Sequence, residues 1–258
     1  MPQAVDLTVI APMYNEEDSV ADTVRRIHDT LVYFPGTWEL LIVDDGSTDS
    51  SRARAEAESA KDPRVVVLGY KRHAGRGRAL RTGFAAARGR YIVTVDFDLS
   101  YEPSHILRVH DALSREGGPD LVLVSAYMPG GTCEGVPPAR LLPSKLGNWL
   151  LRYAWPQLLY TSTCIVRGYR REALQQLALT KDDKEIHLEI LSQAFEHGLA
   201  IEEIPGHLRP RTRGKSKMRL GPTLSSHLVF LARRRPDLCA AAVSAVIIIL
   251  GLLIWLAR

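Results

Sequence analysis

The chain has 258 residues, 46% of them hydrophobic, which is enough to bury the core of one large α/β domain with additions. Its net charge of +4, without any RNA- or DNA-binding motif, gives no ground for nucleic acid as a partner and suits an anionic membrane surface or phosphorylated substrates. Three cysteines, Cys133, Cys164 and Cys239, are odd in number and lack metal-ligand spacing, which argues for a reduced compartment rather than a disulfide framework.

Met1 to Asp6 has no basic region leading into an apolar stretch, so a cleaved signal peptide is not expected. Leu7 to Ala11 predicts a first strand, closed by Pro12-Met13-Tyr14-Asn15-Glu16-Glu17. In the following helix Val20, Val24, Ile27 and Leu31 share one buried face, with Asp18 or Asn15 as cap. Glu39 to Val43 predicts a second strand, followed by Asp44-Asp45-Gly46-Ser47-Thr48-Asp49. Taken singly, each of these two closing segments is a turn and helix cap.

A third strand is expected over Val65 to Tyr70, then Gly75-x-Gly77-x-Ala79 opening a helix. Those glycines fail as a dinucleotide fingerprint, because the third, Gly83, comes six residues on and Arg78 and Arg81 intervene. Tyr91 to Val95 predicts a fourth strand with Asp96-Phe97-Asp98 at its end. In an extended backbone residues i and i+2 face the same way, so Asp96 and Asp98 would converge on one hard cation, Mg²⁺ or Mn²⁺, whose other positions water and phosphate oxygens fill. A fifth strand, Leu121 to Ser125, completes a βαβ rhythm: a Rossmann-like, mostly parallel sheet flanked by helices, with ligands in the loops beyond the strand C-termini.

After Tyr127 the pattern becomes turn-rich. Leu141 to Tyr160, with Trp149, Tyr153 and Trp155 beside Lys145 and Arg152, reads equally as a core helix or an interfacial one, and Leu220 to Arg235 is a second interfacial candidate. From His207 to Arg219 basic residues alternate, which in an extended segment would gather positive charge on one side or blunt an edge strand. Leu238 to Ala257 is uncharged and long enough to span a bilayer; Arg233-Arg234-Arg235 before it would hold the preceding chain in the cytoplasm. The expected organisation is a catalytic domain over 1–219, a juxtamembrane segment over 220–236 and a single C-terminal transmembrane anchor over 237–258.

Together, the segments around Tyr14, Asp45 and Asp96-x-Asp98 resemble in order and spacing the family 2 glycosyltransferases of the GT-A fold, most nearly the dolichyl-phosphate or polyprenyl-phosphate mannosyltransferases. Tyr127-x-x-Gly130-Gly131, Arg140-x-x-x-Ser144, Arg167, Glu189 and Arg211-x-x-Gly214-x-Ser216-Lys217 extend the resemblance over most of residues 5 to 220. It implies that Pro12, Tyr14, Glu16 and Asp45, with neighbouring Asp44, hold the nucleoside of a nucleotide sugar. It further implies that Asp96 and Asp98 hold a diphosphate-bound metal, and that Arg140, Ser144 and Arg211, with Ser216 and Lys217, face the phosphate of a polyprenyl or dolichyl acceptor. The implied reaction is direct displacement with inversion at the cytoplasmic membrane face, mannose from GDP-mannose being the first candidate. A UDP-glucose-dependent transferase is the alternative within the class, and a non-catalytic nucleotide-sugar-binding subunit the alternative outside it. Membrane lipid is an implied partner, and a membrane protein or a second copy of the chain is compatible with it. Three positions depart from the family pattern: Ala126 for an arginine, Ser100 for a glutamine and Thr161 for an aspartate.

Overall fold

A computed structural model describes residues 4–210 and 220–237. In chain order the elements are β1 (Leu7–Met13), α1 (Val20–Leu31), β2 (Trp38–Asp44), α2 (Ser51–Ser59), β3 (Val65–Gly69), α3 (Arg76–Ala86), β4 (Tyr91–Thr94), α4 (Ser104–Ser114) and β5 (Leu121–Ser125). They continue with β6 (Thr132–Cys133), α5 (Pro138–Leu151), β7 (Arg167–Arg170), α6 (Arg171–Leu174), α7 (Ile186–Glu196), β8 (Ile201–Pro205), β9 (His207–Leu208) and α8 (Leu220–Arg234).

The described residues divide into two compact units, 4–136 with 160–210, and 137–159 with 220–237. The first contains a seven-stranded sheet in the order β3-β2-β1-β4-β7-β5-β8 and a two-stranded sheet of β6 and β9. Pairing is parallel throughout the main sheet except along β7, which is antiparallel to both β4 and β5. Every residue of β2 is buried, including Glu39. The apolar run Leu40 to Val43 suits a central strand covered on both faces. Glu39 is accommodated because it accepts hydrogen bonds from the Thr8 hydroxyl at 2.7 Å and from the Arg88 backbone and side chain at 2.8 and 2.7 Å.

The α1 face is Val20, Val24, Ile27 and Leu31, all buried as the spacing predicts. Its cap differs from expectation. Ser19 is the N-cap and makes no side-chain cap bond, while the Asn15 side chain reaches across to Thr48. The sheet order reverses direction at β1, whose neighbours are β2 and β4; loops leaving the C-termini of these three strands therefore open onto one crevice.

In the second unit, α5 and α8 pack together, joined by Trp155 against Phe230 (5.5 Å between ring centroids) and by Arg235 Nη1 donating to the Tyr153 carbonyl at 3.0 Å. Leu142, Leu146, Trp149 and Tyr153 are exposed along α5 and the turn after it, as are Leu228 and Val229 on α8. Among the described residues no helix is long and apolar enough to cross a membrane, and the expected span from Leu238 to Ala257 lies outside them.

Candidate active site

The loops after β1 and β2 are locked to each other residue by residue. The Asn15 amide donates to Ser47 Oγ at 3.0 Å, its side-chain oxygen accepts from the Thr48 amide at 2.8 Å, and the Glu16 amide donates to Ser51 Oγ at 2.7 Å. Asn15 takes a left-handed φ of +51°, a conformation that asparagine tolerates better than most residues. Pro12 pairs in register with Val43 just before this interlock, which fixes where Tyr14 and Glu16 leave the sheet. Asp44 is turned inward: its Oδ1 accepts the Ser47 amide at 3.0 Å and its Oδ2 lies 3.8 Å from Arg52 Nη1.

Asp45, 3% exposed, is the hub of the next layer. Its Oδ1 accepts from the Tyr70 hydroxyl at 2.7 Å and the Ala74 amide at 2.9 Å, its Oδ2 accepts from the Gly75 amide at 3.0 Å, and His73 Nδ1 stands 2.9 Å from Oδ2. Burial, reinforced by this bond to Asp45, pushes the Tyr70 phenol well above its ordinary range. The His73 ring in turn stacks on Tyr14, 4.0 Å between centroids and 20° from parallel. Gly75 and Gly77 admit a close backbone approach from the other side, since a Cβ at either would lie 2.5 Å from the carbonyl oxygen of Asp182 or Lys181. Glu189 holds that approaching segment by accepting from the Thr180 and Lys181 amides, each at 3.0 Å.

The Asp-x-Asp pair is differently set from the expectation. Strand β4 ends at Thr94, so Asp96 and Asp98 sit on a turn rather than on extended backbone, and the alternation argument for their convergence does not apply. What shapes the turn is Leu99, left-handed at φ +49°, with its amide donating to the Asp96 carbonyl at 3.1 Å. Phe97 and Leu99 are buried and plug the turn onto the core, and the Phe97 carbonyl accepts from Thr23 Oγ1 at 2.8 Å. Ser100, one of the three departures, supports Asp98: its amide and hydroxyl donate to Asp98 Oδ1 at 2.9 and 2.6 Å.

Arg76 Nη2 lies 3.5 Å from Asp96 Oδ1. Consecutive residues at the start of α3 thus touch both halves of the site, Gly75 on Asp45 and Arg76 on Asp96. Among the described residues no group of three or more His, Cys, Asp or Glu gathers around one point. Two hard carboxylates without a third protein ligand fit a Mg²⁺ or Mn²⁺ ion that keeps water and takes the rest of its shell from phosphates, not a prebuilt cage.

Beneath the crevice lies a polar layer. Arg167, fully buried, gives Nε to the Cys164 carbonyl at 2.7 Å, Nη1 to the His187 carbonyl at 3.1 Å and Nη2 to the Ser162 carbonyl at 2.7 Å. It ties β7 to the preceding loop and to α7. Thr161, the second departure, is equally integrated: its hydroxyl is 2.6 Å from Ser125 Oγ and its amide donates to Glu203 at 2.8 Å. Ala126, the third, is buried, so an arginine there would have to displace its surroundings. His187 is buried and held neutral, first by desolvation and then by the positive charges of Arg167 and Arg76.

The other expected residues are on α5, on or after β9, or outside the described residues. Arg140 and Ser144 are on α5, in the second unit, and the Ser144 carbonyl accepts from Asn148 Nδ2 at 2.9 Å. Of the alternating basic stretch, His207 lies on β9 with Nδ1 3.0 Å from Thr132 Oγ1, and Arg209 pairs with Glu102. Arg211, Gly214, Ser216 and Lys217 lie outside the described residues. Sequence reasoning passed over His73 and Arg76, although Arg76 is the intervening residue of Gly75-x-Gly77 and was there to be found.

Comparison with known proteins places this geometry. The family model described as glycosyl transferase family 2 matches residues 8–178. Polyprenol monophosphomannose synthase of Mycolicibacterium smegmatis is 34% identical over 217 residues, covering 81% of this chain and 80% of the relative. Dodecaprenyl-phosphate galacturonate synthase of Rhizobium johnstonii is 30% identical over 178 residues, and there the match covers 69% of this chain but about half, 51%, of the relative. Among solved structures, glucosyl-3-phosphoglycerate synthase from Mycobacterium tuberculosis, crystallised with Mn²⁺, UDP and phosphoglyceric acid, superposes with a TM-score of 0.69 at 22% identity, covering 89% of this chain and 78% of that one. At that identity the likeness shows the fold.

Proposed function

The chain belongs to glycosyl transferase family 2, and from that membership we propose that it transfers a hexose, mannose from GDP-mannose in the first instance, onto a polyprenyl or dolichyl phosphate at a membrane surface. The observation that carries the reading is the joint contact of α3, whose Gly75 amide meets Asp45 and whose Arg76 guanidinium meets Asp96. A nucleoside at Tyr14 and Asp45 would thereby have its diphosphate beside the start of α3, where backbone amides and a guanidinium suit anionic oxygens.

Asp96 and Asp98 would hold the divalent cation, which when bound supplies positive charge to the leaving diphosphate. Arg76 would neutralise the same oxygens from the protein side, a preorganised charge of the kind that dominates such catalysis. The acceptor phosphate is already an anion and asks for no strong general base, so buried, neutral His187 need not serve as one. Arg140, Ser144, Arg211, Ser216 and Lys217 are proposed to face that phosphate. The name of the 34% identical relative supports mannose and the polyprenyl acceptor, that of the 30% identical relative supports galacturonate as the competing sugar, and the Mn²⁺ of the structural neighbour supports a divalent ion.

The exposed stripe of Leu142, Leu146, Trp149 and Tyr153 supports α5 as an interfacial helix, and Leu238 to Ala257 is proposed as the anchor, with residues 1–235 on the cytoplasmic side. A chain ending at Arg235 would then be released by carbonate while the full chain stays bound.

The test of the activity is to incubate the full chain and Mn²⁺ with polyprenyl phosphate and each of labelled GDP-mannose, UDP-glucose and UDP-galacturonate, following label into the lipid phase. Transfer from GDP-mannose alone is the expected result. Transfer only from a UDP sugar would move the donor assignment, and nucleotide binding without any transfer would leave a non-catalytic subunit. Arg211→Ala should depress the rate by orders of magnitude, since losing a charged partner to the acceptor phosphate costs about 2–5 kcal/mol.

A further inference from the structure

The segment that leaves the turn of Asp96 and Asp98 also holds strand β9. The Arg209 amide donates to the Ser100 carbonyl at 2.9 Å, Tyr101 bridges antiparallel to Leu208, and Glu102 pairs with Arg209. The fourth tie is a histidine. His105, 1% exposed near the start of α4, has Nδ1 2.9 Å from the Glu102 carbonyl oxygen and Nε2 3.2 Å from the His207 amide. A carbonyl can only accept and an amide N–H can only donate, so these two partners fix the ring as the neutral tautomer with its proton on Nδ1. An imidazolium carries a proton on both nitrogens. Its Nε2–H would face the His207 N–H, donor against donor, in a buried place.

We propose that His105 is a proton-sensitive latch between the turn of Asp96 and Asp98 and strand β9: neutral, it holds the His207 amide, and protonated, it releases it. The strand it holds leads in sequence into the stretch from Arg211 to Lys217. Burial is the largest influence on the ring and lowers its pKa below the ordinary value of about 6.5; the bond to the Glu102 carbonyl opposes this, and positive charge at Arg108 and His207 adds to it. The charged and titratable groups that face His105 are thus Glu102 ahead of the helix, Arg108 one turn along α4, and His207 and Tyr101. The His207 ring lies 5.8 Å away with its Nδ1 3.0 Å from Thr132 Oγ1 of β6, and the Tyr101 ring stands edge-on at 5.8 Å, its phenol kept uncharged chiefly by burial. A histidine with a depressed folded pKa contributes stability that is fully present above the unfolded value and is lost as pH falls through the folded one. The latch therefore opens on the acid side. It is a property of the fold and does not depend on the sugar-transfer reading.

The experiment is hydrogen exchange on the full chain in detergent, read at the peptide carrying His207 and Leu208 and referenced at each pH to the unfolded chain. In the wild type the protection of the His207 amide should fall by about tenfold or more between about pH 7.5 and 5, while the amides of β1 and β2 keep theirs. His105→Gln offers the amide a carbonyl oxygen that does not titrate, so protection there should be equal at both pH values. His207→Gln leaves His105 in place and should keep the acid loss. A wild type equally protected at both pH values overturns the proposal, and so does a loss shared by β1 and β2, which is acid unfolding. An acid loss that persists in His105→Gln, or disappears in His207→Gln, overturns it as well, since either assigns the proton to another group. If His105→Gln does not fold, the wild type and His207→Gln decide by the same outcomes.

Discussion

Asp44-Asp45 and Asp96-x-Asp98 are both acidic pairs at the C-terminal end of a central strand, yet they live in opposite electrostatic conditions. The first pair is buried and saturated: Asp44 spends its oxygens on the Ser47 amide and Arg52, Asp45 on the Tyr70 hydroxyl and the Ala74 and Gly75 amides. The second sits on a turn where Asp96 is partly open with the Arg76 guanidinium 3.5 Å from its Oδ1, and Asp98 Oδ1 accepts from the amide and hydroxyl of Ser100. A carboxylate saturated by donors from several segments shapes the loops it joins, whereas a half-buried carboxylate on a turn is placed to take up a ligand.

The sharpest way to break this contrast is at Asp98. Asp98→Asn should leave the circular dichroism spectrum and melting temperature nearly unchanged and lower sugar transfer by about a thousandfold or more, because it removes a charged ligand from the proposed cation site. Asp96→Asn should weaken donor binding as well. Initial rates at saturating donor, measured across a Mn²⁺ titration, check both. A variant at Asp98 with metal-dependent turnover near wild type would show that the half-buried pair is no more functional than the buried one.

At Asp45 the order of effects should invert. Replacing a buried carboxylate by an amide turns one accepting oxygen into a donor facing other donors, at a cost of about 1–3 kcal/mol. Asp45→Asn should therefore lower the melting temperature by about 2–12 °C for a domain of this size. It should also loosen the His73-to-Gly75 segment, seen as faster amide exchange at Ala74 and Gly75, whose bonds to Asp45 are 2.9 and 3.0 Å. A stable variant with weak donor binding would transfer Asp45 to the class of Asp96.

How far the sequence reached follows the same division. The apolar strands, the buried stripe of α1 and the strand-end location of the acidic motifs are all local patterns, and local patterns are what a one-dimensional reading can weigh. The turn at Leu99 escaped because nothing in Asp-Phe-Asp-Leu announces a left-handed leucine; the burial of Phe97 and Leu99 imposes it. Strand β7 escaped because Arg167-Gly168-Tyr169-Arg170 is polar in composition but central in the sheet. Its first arginine becomes buriable only through carbonyl groups supplied by Ser162, Cys164 and His187, the last from twenty residues away. The Asp45-His73 contact is of the same non-local kind. Ser100 and Thr161, which compared with the family look like losses, are hydrogen-bonded members of their surroundings.

A third carboxylate sharpens the comparison with the smallest expected effect. Glu203 accepts from the Tyr160 and Thr161 amides at 2.7 and 2.8 Å, as a committed structural carboxylate does, yet burial outweighs these bonds and the nearby Arg167 charge and raises its pKa. A carboxyl whose folded pKa lies above its unfolded value of about 4.3 favours folding most when protonated. Its contribution is fully present below the unfolded value and is lost as pH rises through the folded one. Glutamine at this position stays neutral at every pH and keeps one carbonyl for the two amides. The melting temperature of the wild type minus that of Glu203→Gln should accordingly be greatest near pH 4 and fall as the pH is raised toward 8, by a few degrees at most. If the wild type instead gained on the variant with rising pH, the two amides and Arg167 would be winning over burial, and Glu203 would join Asp45 among the carboxylates that are held charged.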